Sequence, residues 1–340
     1  MEKERLESVA NAMVAQGKGI LAADESTGTI TKRLAGVDVE STEENRRTYR
    51  GLLFTTAEVE NFISGVIMYD ETIRQSTDDG TPYPELLDSK GIIPGIKVDK
   101  STHPLAMHES EVITEGLDGL RERFVEYREL GAKFAKWRAV IKIGDGIPSQ
   151  FCIDANAHAL GRYAALAQEE GLVPIVEPEV LMDGDHDIQR SEEVTKATLK
   201  SVFSQLFQHR VHLEGILLKP NMVIAGKEAD HQSTPEEVAE ATLRTFNRVV
   251  PAAIPGIVFL SGGQSPQRAT VNLNAMNRMG EQPWELSFSY GRALQEPVLE
   301  AWRGDSANVS EAQKQFYRRA ELNSAARSGD YTEDMESRAA

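Results

Sequence analysis

Cysteine is almost missing from this chain of 340 residues: Cys152 stands alone, so no intramolecular disulfide can brace the fold. Long apolar stretches are missing too. Nothing approaches the ~20 uninterrupted apolar residues of a membrane helix, and the first residues lack the apolar block of a signal peptide. Leu6, Val9, Ala10, Met13 and Val14 recur instead at helical spacing. That pattern predicts a docked amphipathic helix, in a cytoplasmic protein with no membrane partner. Positive charge is in short supply, with 37 Lys and Arg against 53 Asp and Glu and a net charge of −16. Such a chain repels polyanions, so nucleic acid is not expected as a partner. A small phosphorylated ligand remains open, provided that the cations gather in one cleft.

Metal-ligand patterns are also lacking. His186, His209, His212 and His231 form no H-x-x-x-H or other compact set, and His209 and His212 read as exposed helical histidines. Asp183-Gly184-Asp185-His186-Asp187 resembles half of a calcium loop without its closing glutamate, and reads as a solvated turn. Neither a metal nor any other cofactor is expected. Cys152 has no helper histidine in its sequence neighbourhood and reads as a small buried apolar residue. No Gly/Ser or Pro linker divides the chain, and no short-period repeat occurs. After Arg303 the composition turns polar, which predicts a catalytic domain over 1–305 and a C-terminal helix with a flexible tail over 306–340.

What is present is an ordinary globular composition, 40% hydrophobic and 26% charged. Eight short apolar runs cover 19–23, 62–70, 92–96, 134–143, 173–181, 213–219, 257–261 and 286–292, most of them ending at polar residues. Near-continuous apolar runs without clean alternation suit parallel strands covered on both faces. Helical stretches lie between them. Thr42-Glu43-Glu44 opens one, a second over 158–170 stops at Gly171, and Ser233-Thr234-Pro235-Glu236-Glu237 starts a third. Eight strands alternating with helices predict an α/β fold, a single (β/α)8 TIM barrel with an N-terminal helix and a polar C-terminal tail, rather than an open doubly wound sheet.

In such a barrel the active site lies at the C-terminal ends of the strands. Lys136 and Arg138, and likewise Glu177 and Glu179, are two residues apart on one strand, so each pair shares a face. Asp24, Lys97 and Lys219 end three further runs. A barrel interior is normally Val, Ile and Leu, and an unpartnered buried charge costs several kcal/mol. A structural ion-pair network would explain one such pair; charges from five strands point to chemistry. Trp137, between Lys136 and Arg138, faces the surrounding helices.

A lysine among these carboxylates suggests imine chemistry. Free lysine is almost wholly protonated at neutral pH, so a nucleophilic one needs apolar surroundings and a neighbouring cation. The run before Lys219 and the cation of Lys136 supply both. Glu177 or Glu179 would handle the proton transfers of water loss, and Asp24 the proton of the hydroxyl whose carbon is released.

Leu213-Glu214-Gly215-Ile216-Leu217-Leu218-Lys219-Pro220-Asn221 resembles the active-site signature of class I fructose-bisphosphate aldolases. The resemblance spans nearly the whole chain: GILAADES at 19–26, TEENRRTYR at 42–50, AKWR at 135–138, VEPE at 176–179, FLSGGQS at 259–265 and FSYGRAL at 288–294. It implies a lyase that cleaves fructose 1,6-bisphosphate reversibly to dihydroxyacetone phosphate and glyceraldehyde 3-phosphate, without metal, as a homotetramer in glycolysis, gluconeogenesis or carbon fixation. By the same resemblance Lys219 forms the Schiff base and Glu177 transfers protons with help from Glu179. Lys136 supports the nucleophile and carbon–carbon cleavage, and Asp24 works on the C4 hydroxyl. Arg33, Ser261, Gly262, Ser289, Gly291 and Arg292 match the phosphate grip at the dihydroxyacetone end. Ser26, Lys97 and Arg138 match residues near the other phosphate, and Arg46 a further substrate contact. The family's terminal tyrosine has no counterpart in Glu336-Ser337-Arg338-Ala339-Ala340, and Tyr331 matches an upstream tyrosine. Three rival readings accompany this one: a Schiff-base aldolase for another sugar phosphate such as sedoheptulose 1,7-bisphosphate, a non-catalytic sugar-phosphate scaffold, and a metal-dependent aldolase.

Overall fold

In the computed structural model, which describes residues 2–337, each apolar run becomes a strand. Eight of them, β1 (Gly19–Ala23), β2 (Ile63–Met68), β3 (Ile93–Lys97), β6 (Phe134–Ile141), β7 (Val173–Val180), β8 (Leu217–Leu218), β9 (Gly256–Phe259) and β10 (Glu285–Tyr290), close into an all-parallel barrel. β4 (Thr102–Pro104) and β5 (Val112–Thr114) form a separate antiparallel pair. Their three residues each carry too little apolar patterning to be seen in the sequence.

The barrel strands are buried on both sides, as their apolar runs require. Ala135, Trp137 and Ala139 of β6 face the helices, where Trp137 stacks on Tyr163 at 5.7 Å. Phe134, Lys136 and Arg138 face the other way. The lower interior is filled by Phe134, Ile20, Val173, Ile175, Leu217 and Val258. A Cβ on Gly95 would stand 2.2 Å from the Phe134 ring, so only glycine leaves the ring its place. The helix Glu2–Met13 closes this end with Leu6, Ala10, Met13 and Val14, and the Ser64 hydroxyl donates to the Met13 carbonyl at 2.5 Å.

Helix starts follow the capping signals. Thr42 accepts from Asn45 N–H at 3.0 Å above Glu43–Thr55. Thr234 and Glu237 form a reciprocal capping box on Pro235–Val249. The helix expected at 158–170 begins earlier, at Gln150, because Ser149 caps it by accepting from Cys152 N–H at 3.1 Å. His212 is not helical: it lies beyond the end of Ile188–Gln208, held between Glu7 at 2.7 Å and Glu214 at 3.2 Å.

The C-terminal segment packs against the barrel as far as it is described. The helix Val309–Arg327 buries Ala312, Phe316, Ala320, Leu322 and Ala326 in the same core as the barrel helices. Beyond it Tyr331 is buried and donates to Glu336, whose carboxylate pairs with Arg319 at 2.7 Å. Residues 338–340 lie outside the described residues.

Candidate active site

At the upper end of the barrel the inward-facing stripe of each strand changes from apolar to charged. On β7 it runs Val173, Ile175, Glu177, Glu179; on β6, Phe134, Lys136, Arg138; β8 adds Leu217 and then Lys219. Register brings these groups level, with Lys97 beside Lys136 and Arg138 beside Glu177. β8 is short, and its end is fixed by other means. Lys219 N–H donates to Val176 at 2.8 Å, and the buried Asn221 amide accepts from Val180 N–H and donates to Thr195.

The result is an open cavity of about 510 Å³ with a polar floor. Lys219 Nζ lies 3.2 Å from Glu177 Oε1, and Lys136 Nζ lies 3.2 Å from Glu177 Oε2 and 2.6 Å from Asp24 Oδ2. All four side chains are buried or nearly so; the side chain of Lys219 is 4% exposed. Burial pushes the Asp24 carboxyl up, but Lys136 and then Lys219 and Lys97 outweigh it and hold Asp24 well below the usual carboxylate range. Glu177 follows the same balance: burial raises it, and Lys136, Lys219 and Arg138 bring it down. Burial opposes the charge on Lys136, yet Asp24 and Glu177 hold its ammonium well above the ordinary lysine range. The resting floor is therefore a row of alternating fixed charges. Lys136 and Lys219 do not face each other directly, because Glu177 stands between the two.

Around this floor the wall carries groups suited to an anion. Ser289 Oγ is buried and has no partner among the described residues, although it lines the cavity. Gly291 precedes the helix Arg292–Trp302, whose first N–H groups face the same end of the barrel. Ser261, Gly262 and Gly263 form the turn after β9, where Gly263 takes φ +87°. Arg33 reaches the cavity held by Glu25, which also pairs with Arg50 at 2.8 Å and accepts from Gln295 at 2.8 Å. Arg138 is paired with Glu179 rather than standing free. In all, seven cations and five carboxylates line the cavity, an excess of positive charge within a strongly acidic chain.

Two expected contacts fall elsewhere. Arg46 does not line this cavity: its guanidinium is taken up by Glu71 through bonds of 2.8 and 2.6 Å and by the Ser41 carbonyl at 2.7 Å. Ser26 lines a neighbouring cavity with Tyr69, Asp70, Arg74 and Arg123, which meets the first at Lys97. Lys97 itself pairs with Asp99 at 3.2 Å and lies over the Tyr69 ring. Asp183 and Lys227, which the sequence reading passed over or placed in a solvated turn, form part of the cavity wall. Both sit in irregular loops, and no periodicity announces them. Among the described residues no three His, Cys, Asp or Glu side chains gather as a metal site, and no helix is long and apolar enough to cross a membrane.

Known proteins resemble this chain over nearly its whole length. The family model described as "Fructose-bisphosphate aldolase class-I" matches residues 5–340. "Probable fructose-bisphosphate aldolase class 1" of Xanthomonas campestris pv. campestris is 57% identical over 332 residues, 97% of this chain and 99% of the relative. "Fructose-bisphosphate aldolase B" of Gallus gallus is 52% identical, covering 97% of this chain and 91% of the relative. The fructose-bisphosphate aldolase of Plasmodium falciparum, solved in complex with TRAP and a small-molecule inhibitor, superposes with a TM-score of 0.96 at 50% identity, covering 97% and 96% of the two chains.

Proposed function

This chain belongs to the class I fructose-bisphosphate aldolase family, and from that membership we propose how its own residues divide the reaction. The enzyme is a lyase that cleaves fructose 1,6-bisphosphate to dihydroxyacetone phosphate and glyceraldehyde 3-phosphate, and joins them again in reverse. The observation that carries the assignment of roles is the Glu177 carboxylate placed 3.2 Å from both Lys219 and Lys136.

Lys219 gives a proton to Glu177, the acceptor within reach, and its free amine adds to the C2 ketone. Glu177 returns a proton to the carbinolamine oxygen, which leaves as water and generates the iminium. Asp24 takes the proton of the C4 hydroxyl while the C3–C4 bonding pair moves into the iminium, so glyceraldehyde 3-phosphate departs and an enamine remains. Protonation at C3, balanced by loss of the proton that Asp24 took up, and hydrolysis of the imine release dihydroxyacetone phosphate and restore Asp24 and Lys219. Lys136 keeps its proton throughout, stabilising the charge on Asp24 and on the oxygen that becomes the aldehyde. Glu179 fixes Arg138 at the wall. Arg33, Arg292, Ser261, Gly262, Ser289 and Gly291 bind the phosphate at the dihydroxyacetone end. Lys97 and Arg138, with Ser26 beyond them, receive the other phosphate.

Borohydride reduction in the presence of dihydroxyacetone phosphate, followed by peptide mass mapping, tests these roles. The adduct is expected on Lys219 and absent from Lys219→Ala; an adduct on another lysine overturns the assignment. We extend to this chain the family's homotetramer, to be checked by sedimentation. We also propose the cytosol, which the name of the Arabidopsis thaliana relative "Fructose-bisphosphate aldolase 6, cytosolic" gives for that protein. The single barrel domain with 306–340 as its C-terminal element completes the proposal, and limited proteolysis checks it.

A further inference from the structure

The loops after β7 and β8 are zipped together at the cavity mouth. Gly226 N–H donates to His186, Lys227 N–H to Met182 and Glu228 N–H to Gly184, at 2.8, 2.8 and 3.0 Å. The approach is so close that a Cβ on Gly226 would lie 2.1 Å from the Gly184 carbonyl oxygen. This backbone contact fixes where Lys227 stands. Its Cε is 3.2 Å, and Arg292 Nη2 is 3.3 Å, from the point where a Gly263 Cβ would project. The Lys227 stem and the Arg292 guanidinium thus both reach the Gly262-Gly263 turn, in the cavity that the unpartnered Ser289 hydroxyl also lines. Arg292 has no carboxylate partner among the described residues. Lys227 has one, Asp183 at 2.8 Å, in a pair 44% and 64% exposed. Exposed pairs of this kind are weak and readily exchanged.

We propose that Lys227 is a further phosphate-binding residue at the dihydroxyacetone end, paired with Asp183 before substrate binds and transferred to the phosphate dianion when substrate arrives. The inference rests on the site reading above and adds a residue to it. Lys227 and Arg292 both reach the same turn, so a phosphate held by Ser289, Gly291 and Arg292 offers Lys227 a doubly charged partner in place of the single charge of Asp183. Lysine is suited to the part, since its flexible stem carries a point charge from one partner to another.

The rival explanation is structural: Lys227 and Asp183 merely strap two loops together. The two accounts predict opposite behaviour for a pair of variants. Under the proposal, Lys227→Met raises KM for fructose 1,6-bisphosphate about tenfold with a smaller change in kcat. It also weakens dihydroxyacetone phosphate as a competitor while leaving imine trapping of phosphate-free dihydroxyacetone unaltered. Asp183→Asn, which frees the lysine, lowers KM two- to threefold, and Lys227→Arg keeps most of the wild-type affinity. If both Lys227→Met and Asp183→Asn raise KM, or if Lys227→Met leaves it unchanged, the proposal is overturned. The borohydride adduct of the wild-type protein is measured alongside. Its absence would take down the site reading and this inference together, whereas its presence with an indifferent Lys227→Met removes only the inference.

Discussion

The lower and upper halves of the barrel interior are built by the same strands, yet one is a dry apolar plug and the other a row of charges. On β6 the inward stripe passes from Phe134 to Lys136 to Arg138 and on β7 from Ile175 to Glu177 to Glu179, a few ångströms apart along one backbone. The lower half is sealed by its own packing and by the helix Glu2–Met13. That foundation lets the upper half tolerate buried charge, because each ion is desolvated only where an opposite partner is already fixed. Stability and chemistry are stacked along each strand instead of being divided between domains, so substitutions two residues apart should have unlike consequences.

The sharpest separation is expected at Lys219. Lys219→Met should lower kcat for bisphosphate cleavage by at least ~10⁴-fold, since the covalent route is lost, while stability falls less than in Lys136→Met because Glu177 keeps Lys136 as a partner. A variant with substantial residual turnover would end the division of roles along the strand. Lys136→Met should damage both properties, because it leaves Asp24 and Glu177 buried without their shared cation. A destabilisation of about 3–5 kcal/mol and a ~10²-fold or greater loss of kcat are expected, read by denaturant unfolding and steady-state assay. Phe134→Ala, two residues lower, should cost about 3–5 kcal/mol through the cavity it leaves, with kcat per folded molecule nearly intact at low temperature.

The pH dependence of stability is a finer probe. Asp24 and Glu177 are held below their ordinary values of 3.8 and 4.5, so they stabilise the fold above those values, and this is lost as pH falls through the folded ones. Lys136 is held above 10.5, so its contribution is whole below that value and lost only as pH rises past the folded one. From these three groups the unfolding free energy should be level between about pH 5 and 10. In Lys136→Met the acid limb should move up in pH; an unshifted limb would show that the triad does not govern it. The smallest effect is expected at Cys152. Burial and then Glu111 push its thiol up to about 11, so iodoacetamide labelling at pH 8 should be slow until the protein unfolds.

Most of this architecture was legible because strand burial and strand alternation leave direct traces. A residue ending an apolar run, such as Asp24 or Lys219, had to sit at a barrel rim, and two polar residues in alternation, such as Glu177 and Glu179, had to share a face. What escaped depends on distant partners. Nothing near Arg46 reveals that Glu71, twenty-five residues on, occupies its guanidinium. Nothing near Lys227 reveals that its loop is clasped by residues 182–186. Polar composition after Arg303 concealed the stripe of Ala312, Phe316, Ala320 and Ala326 that docks the last helix.

Among the described residues, the helix at the barrel's lower end closes that end, so the charged cavity opens on the upper rim. Substrate and both trioses then pass the same rim, so a group that narrows it slows entry and release together.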